Sequence, residues 1–231
     1  MQEEGCGVAA AAKLPEFKSY TRGELIADGV VHAAGVLLAL IAVPVMVTLA
    51  AVWHGSFTVV AAAVIYGLSL IAMFAFSASY NLVHHPRAKA LLRRFDHGAI
   101  FVKIAGTYTP FAVLLGGAEA GTILIGIWTA AILGVALVLL NPRAHAWIGL
   151  ALYLAMGWAV VFVGGPILTE ISTAGLVLIC TGGGLYTLGV AFHLWDRLPY
   201  QNAIWHAHVL AASLTFYAAV LVEVAETAVT S

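Results

Sequence analysis

Charged and imidazole side chains at helical spacing are the groups in this sequence that could do chemistry. Glu24, Asp28 and His32 follow one another at intervals of four residues, so a helix would place them on one face. Lys103 follows Asp96 by seven residues, which is about two helical turns. Carboxylate, imidazole and amine groups arranged in this way can move protons, bind a metal ion or form buried ion pairs.

Two further pairs repeat the four-residue spacing with hydroxyl and amide groups. Ser77 precedes Asn81 by four residues, and Asn202 precedes His206 by four residues. A serine hydroxyl or an amide N–H can stabilise an oxyanion, and an imidazole is a common metal ligand. Which of these roles each residue can take depends on the elements that position it.

The composition predicts a membrane protein. Apolar residues make up 62% of the 231 residues and charged residues 9%, and the mean hydropathy is +1.00. A transmembrane helix needs about 20 apolar residues, whereas the helices of a soluble bundle would show polar faces. We therefore predict an all-α, polytopic fold with seven transmembrane helices, near Glu24–Val52, Phe57–Val83, His97–Leu115, Gly121–Leu140, Ala144–Val163, Thr173–His193 and Ala203–Val224.

The basic residues predict the orientation of these helices in the membrane. Lysines and arginines concentrate in cytoplasmic segments of membrane proteins. Nine of the ten fall on one side of the predicted topology, namely Lys13, Lys18, Arg22, Arg87, Lys89, Arg93, Arg94, Arg143 and Arg197. We therefore predict a multi-pass protein of the inner (plasma) membrane. Residues 1–22 would form a cytoplasmic tail, residues 23–231 the seven-helix domain, and the C-terminus would lie outside.

This topology brings the polar side chains of the helices to one side of the bilayer. The first, third and seventh helices start at the cytoplasmic side and the second ends there, so their polar groups share the cytoplasmic half. A charge in hydrocarbon costs several kcal/mol unless it is paired. We therefore expect a buried polar network that includes Glu24, Asp28, His32 and Lys103, with the Lys103 ammonium paired to Asp28, Asp96 or both.

Several of these residues lie in motifs that resemble a known family. They are Ser77-Ala-Ser-Tyr-Asn81, Arg93-Arg-Phe-Asp96-His-Gly-Ala-Ile, Ala105-Gly-Thr-Tyr-Thr-Pro110 and Asn202-Ala-Ile-Trp-His206. Together with the Glu24, Asp28 and His32 spacing, they resemble the hemolysin III family, which belongs with the progestin and adipoQ receptors and the alkaline ceramidases. The resemblance covers roughly Tyr20 to the end of the chain.

The resemblance implies a seven-helix fold with a zinc ion held by three histidines, beside an aspartate that matches Asp96. Here Asn81 and Asn202 occupy two of the three histidine positions, and His206 is the ligand that remains. An amide oxygen is a poorer zinc ligand than an imidazole. We expect zinc to be absent or weakly bound, with Lys103 and Asp28 in its place. The competing arrangement keeps zinc on His206, Asp96 and another group such as His32.

Two functions follow from the resemblance and from these departures. The first is a membrane protein in membrane homeostasis or sensing, which acts through its buried polar site. The alternative is a ceramidase-like hydrolase of lipid amides or esters, in which zinc or Asp96 activates a water and Ser77 or Asn81 stabilises the oxyanion. The expected partners are membrane lipids, including a lipid substrate or ligand. The net charge of −1 favours no nucleic-acid partner, and none is expected.

Overall fold

The computed structural model describes residues 20–83, 85–140 and 146–230, and this part of the chain is helical. Lys13, Lys18, Arg143 and nearly all of the predicted tail lie outside the described residues. The helices are α1 (Arg22–His54), α2 (Phe57–Leu82), α3 (Pro86–Leu115), α4 (Ala120–Leu140), α5 (Ala146–Val163), α6 (Gly165–Glu170), α7 (Thr173–His193) and α8 (Gln201–Thr230), with a 3-10 turn at Gly117–Glu119.

Six of the described helices are long and apolar enough to cross a membrane: α1, α2, α3, α4, α7 and α8. The fold is therefore that of a multi-pass membrane protein. The predicted fifth span corresponds to α5, whose apolar stretch Trp147–Phe162 is shorter than the other six. Seven crossings and the orientation of the two ends accordingly stay predictions. The short helix α6, which follows Gly164, was not predicted because it has too few residues to give a periodic pattern.

The third helix begins at Pro86, eleven residues before the predicted start at His97. Proline favours the first turn of a helix because its fixed φ suits the helix and its missing N–H needs no partner there. His85 precedes it and caps the turn by accepting a hydrogen bond from the Ala88 N–H at 3.4 Å. The first turns of α3 carry basic residues, so hydropathy alone did not reveal them as helix.

The central helix of the bundle is α3, which packs against α2, α4 and α8. In its most apolar 18-residue stretch, 67% of the residues are buried, compared with 17% in the corresponding stretch of α7. Close approach of α2 and α3 requires a glycine, because a Cβ on Gly106 would overlap Ser69. The outer pairs are α1 with α2 and α8, and α7 with α8. This arrangement brings one end each of α1, α2 and α8 together.

Candidate polar site where α1, α2 and α8 meet

Asp28 on α1 lies at the centre of the polar site. Its side chain is buried and accepts two hydrogen bonds from α8. Oδ1 lies 2.6 Å from Nδ1 of His206, and Oδ2 accepts from the Asn202 amide at 2.9 Å. Asn202 and His206 reach the same carboxylate because they lie one helical turn apart on one face of α8. Asp28 thus connects α1 to α8 through both carboxylate oxygens.

His32 lies one turn beyond Asp28 and connects α1 to α2. Its Nδ1 is 2.8 Å from the Asp28 backbone carbonyl, and its Nε2 is 3.2 Å from the Ser77 hydroxyl. The His32 and His206 rings also meet, with centroids 4.3 Å apart. His32 is buried with 2% of its surface exposed, so these protein groups supply its polar contacts.

The two asparagines that stand where the family resemblance implies histidines contact each other. The Asn202 amide donates to Oδ1 of Asn81 at 3.1 Å. The Asn81 amide in turn donates to the Ser77 backbone carbonyl at 2.9 Å, and its nitrogen lies 3.4 Å from Nε2 of His32. Asn81 and Asn202 therefore connect α2 to α8 and complete a network that joins three helices.

Glu24 occupies a different position from the rest of the expected network. It forms a capping box at the start of α1, where its Oε2 accepts from the Thr21 N–H at 2.8 Å and from the Thr21 hydroxyl at 2.9 Å. Its Oε1 accepts from the Tyr200 N–H at 3.1 Å. Tyr200 has a φ of 57°, a left-handed conformation that is costly for a residue with a side chain. Glu24 therefore helps to hold the turn that leads into α8.

Lys103 does not form the expected ion pair with Asp28 or Asp96. Its side chain is buried with 3% of its surface exposed. Nζ donates to the Thr107 hydroxyl at 2.6 Å and lies 4.6 Å from the centroid of the Tyr66 ring. No carboxylate among the described residues comes within 4 Å of it. Thr107 lies one helical turn from Lys103 and is its hydrogen-bond partner. The expected pairing with Asp28 or Asp96 was based only on their similar depth in the bilayer.

Asp96 lies on the same side of the bundle but outside this cluster. Its nearest basic neighbour in the described chain is His97, with 4.0 Å between Oδ2 and the imidazole Nδ1. The carboxylate side chain is 15% exposed. Asp96 therefore has access to solvent, while Asp28 provides the buried carboxylate of the site.

Tyr20 lies just before α1 and interacts with the charges of the site. Burial raises the pKa of its phenol above the usual range. The negative charge of the Asp28 carboxylate raises that pKa further. The Tyr20 phenol therefore stays protonated at neutral pH and can act as a hydrogen-bond donor.

Asp28, His32 and His206 are the described side chains whose types and positions could hold a metal ion. Their candidate ligand atoms all lie within 4.8 Å of one another. Zinc binds nitrogen and oxygen ligands at about 2.0–2.2 Å, which separates two ligands of a tetrahedral ion by about 3.3 Å. The 2.6 Å between Asp28 and His206 is instead a charge-assisted hydrogen bond. As arranged, these residues do not fit the three-histidine zinc site that the resemblance implies.

Two contacts of the site had no signal in the sequence. The pairing of Ser77 with His32 joins residues 45 positions apart, and helical periodicity gives no rotation of one helix relative to another. The contact between Lys103 and the Tyr66 ring could not be predicted either, because Tyr66 lies within an apolar run of α2. The i, i+4 pairs along α1, α2 and α8 could have been, and were, predicted to share a face.

The fold and the site together define a multi-pass helical membrane protein with a buried polar cluster of aspartate, histidine and asparagine. Comparison with known proteins places it among relatives of the same length. The family described as "Haemolysin-III related" matches residues 24–217. The chain is 35% identical to "Hemolysin-3" of Bacillus cereus over 217 residues, covering 94% of this chain and 98% of the relative.

A second relative gives the same result. The chain is 34% identical to the "Hemolysin-3 homolog" of Bacillus subtilis (strain 168) over 205 residues, covering 87% of this chain and 95% of the relative. The chain therefore belongs to the haemolysin-III-related family.

Proposed function

We propose that this family member acts in membrane homeostasis by sensing the state of the bilayer through the polar network that joins α1, α2 and α8. The observation that carries the proposal is Asp28, which accepts hydrogen bonds from His206 and Asn202 across the α1–α8 contact. A hydrogen-bond network in a water-poor interior has few alternative partners, so a change in helix packing must preserve it or break it.

The first helix is suited to transmit a change in lipid packing to this network. Its buried residues form one narrow stripe, which contains Asp28 and His32 together with Gly35, Ala39, Val43, Met46 and Ala50. The opposite face exposes large apolar side chains such as Ile26, Leu37 and Ile41. A shift of α1 that follows bilayer thickness would act directly on the hydrogen bonds of Asp28.

We propose that the network works with zinc absent or weakly bound. The direct hydrogen bond from His206 to Asp28 takes the place of the bond that the histidine would make to a metal. The alternative in which zinc activates a water for lipid hydrolysis needs a donor set that these residues do not offer. A catalytic role for zinc therefore forms no part of the proposal.

Distance measurements between spin labels test the sensing proposal. Labels at Ile26 on α1, which is 67% exposed, and at exposed Ala207 on α8 would be introduced after changing Cys6 and Cys180 to serine. We expect the mean distance to differ by about 1–2 Å between short-chain and long-chain phosphatidylcholine vesicles. The change should disappear in Asp28→Asn combined with His206→Gln, and persist in the control Glu226→Gln. Identical distances in both lipids would contradict the proposal.

A further inference from the structure

The first three turns of α3 concentrate positive charge. Four of the ten lysines and arginines of the chain lie within eight consecutive residues, namely Arg87, Lys89, Arg93 and Arg94. Neither Arg87 nor Arg93 takes part in a salt bridge within the described part of the chain. The polar network of α1, α2 and α8 uses none of these cations, so it does not explain why they cluster here.

The length of α3 places these cations at the level of the lipid headgroups. The helix has 30 residues and is about 45 Å long, whereas the hydrocarbon core of a bilayer is about 30 Å thick. About 20 residues cross that core, which corresponds to the stretch from Asp96 to Leu115. The turns before Asp96 therefore extend into the interfacial layer, where the phosphate groups of phospholipids lie.

One face of these turns combines arginine with exposed apolar side chains. Arg87, Leu91 and Phe95 follow at intervals of four residues, and Arg94 lies seven residues after Arg87, so the four share a face. The first three of these residues are exposed. The Phe95 ring stacks on Phe76 of α2, with ring centroids 5.3 Å apart. Apolar groups deeper than a cation match a phospholipid, whose acyl chains lie below its phosphate.

Arg94 borders this face on the side of α4. Its guanidinium donates to the Leu139 carbonyl at 3.4 Å, one residue before the end of α4. A guanidinium has five N–H donors, so this bond leaves others for a ligand. Lys89 instead faces α2, where its ammonium lies 5.3 Å from the centroid of the Tyr80 ring. Arg87 and Arg94 are therefore the cations that this face offers to a phosphate.

We propose that this face of α3 binds one anionic phospholipid, with the phosphate held by Arg87 and Arg94 and an acyl chain along Leu91 and Phe95. The two arginines are about 10 Å apart along the helix, and Arg94 leans towards Arg87 because helical side chains tilt to the N-terminus. Arginine N–H groups suit the oxygens of a phosphate, and basic clusters at the end of a transmembrane helix favour anionic lipids.

The apolar part of the face decides between possible occupants. A free phosphate would leave Leu91 and Phe95 uncovered, whereas an acyl chain covers them. A second copy of the chain would form a twofold contact, which would bring the arginines of this face against each other. This lipid site goes beyond the sensing function and uses no residue of the polar network.

Native mass spectrometry of the full chain in detergent tests the site with two lipids of the same acyl chains, palmitoyl-oleoyl phosphatidylglycerol and palmitoyl-oleoyl phosphatidylcholine. We expect one phosphatidylglycerol to bind at least about tenfold more tightly than phosphatidylcholine. Arg87→Gln with Arg94→Gln should weaken that binding about thirtyfold, which is about fivefold for each arginine. Leu91→Ser should weaken it about threefold or more because acyl contact is lost.

The matched control is Arg22→Gln with Arg197→Gln, because both arginines are exposed and the pair removes the same charge. It should leave the affinity for phosphatidylglycerol within about twofold of the unmodified protein. Thermal midpoints identify a variant that fails to fold. Where the Arg94 change prevents folding, Arg87→Gln alone should still weaken binding about fivefold.

Four results would overturn the proposal. Equal affinity for the two lipids would show that the face does not select charge, and equal losses in the arginine pair and its control would show that net charge alone attracts the lipid. Displacement of phosphatidylglycerol by millimolar inorganic phosphate, with no effect of Leu91→Ser, would identify a site for a free anion. A dimer that Leu91→Ser dissociates would place a second copy on this face. Spin-label distances in uncharged phosphatidylcholine do not depend on this site, so the sensing proposal fails or stands separately.

Discussion

Nδ1 of His206 lies 2.6 Å from Oδ1 of Asp28, and this contact joins the first and last helices of the bundle inside the protein. The family resemblance implies that this histidine is the one zinc ligand that the chain retains. In the proposed account, a hydrogen bond to Asp28 takes the place of its bond to a metal. Both groups belong to a network that reaches α2 through His32 and Asn81.

The first prediction concerns the energy of this contact. Asp28→Asn and His206→Gln should each lower the free energy of unfolding by about 1.5–3 kcal/mol, as for a hydrogen bond to a charged group. Because the two residues share one interaction, the loss in the double variant should be smaller than the sum by about 0.5–3 kcal/mol. Denaturation in detergent measures these values. Asp96→Asn is the control, and full additivity of Asp28→Asn with His206→Gln would show that the contact is not formed.

The second prediction concerns Lys103. Since no described carboxylate pairs with its ammonium, replacing it by methionine removes a buried polar group while keeping most of the apolar stem. We expect Lys103→Met to leave the thermal midpoint unchanged or to raise it. Thr107→Val should then lower the midpoint when Lys103 is present and have little effect when residue 103 is methionine. A large loss in Lys103→Met that Asp28→Asn recovers would instead restore the ion pair inferred from the sequence.

The sequence predicted which polar residues share a helix face, but not which faces meet. Periodicity placed Asp28 with His32 and Asn202 with His206 because residues four apart lie on one side of a helix. The length of the apolar run also predicted both ends of α7 correctly, at Thr173 and His193. Partners across helices depend on the rotation of each helix about its axis, which packing sets. For that reason the sequence predicts a carboxylate partner for Lys103 at the same depth in the bilayer, whereas in the structure Lys103 donates to Thr107 on its own helix.

The third prediction concerns Glu223 on α8, which is buried with 1% of its surface exposed. Its carboxylate accepts from the Ser172 hydroxyl at 2.6 Å and from the Ser172 N–H at 3.2 Å, at the N-terminus of α7. A negative charge is favourable there because the helix dipole is positive at this end. Glu223→Ala should lower the free energy of unfolding by about 1.5–3 kcal/mol.

The exposed residue Glu119 provides the comparison for Glu223. Glu119→Gln should change the free energy of unfolding by less than about 0.5 kcal/mol. The loss for Glu223→Gln should lie between the losses for Glu223→Ala and Glu119→Gln, because an amide oxygen can still accept one hydrogen bond. Equal losses at Glu223 and Glu119 would mean that the Ser172 contact contributes little to stability.

The fourth prediction concerns the number of crossings. If α5 crosses the membrane together with the six longer spans, the two ends of the chain lie on opposite sides. A reporter that is active outside the cytoplasm should then be active when fused after Ser231, and inactive when fused at Arg197. Activity of a cytoplasmic reporter after Ser231 would show that α5 does not cross or that the orientation is reversed. A fusion within residues 141–145 distinguishes these two outcomes.

The zinc content of the purified protein tests the central claim most directly, because the claim is that a hydrogen bond between Asp28 and His206 replaces metal coordination. Protein purified without added metal should contain well below one zinc per chain by elemental mass spectrometry. Restoring the family histidines with Asn81→His and Asn202→His should raise the content towards one per chain, which serves as the positive control. Near-stoichiometric zinc in the unmodified protein, lost on His206→Ala, would contradict the account.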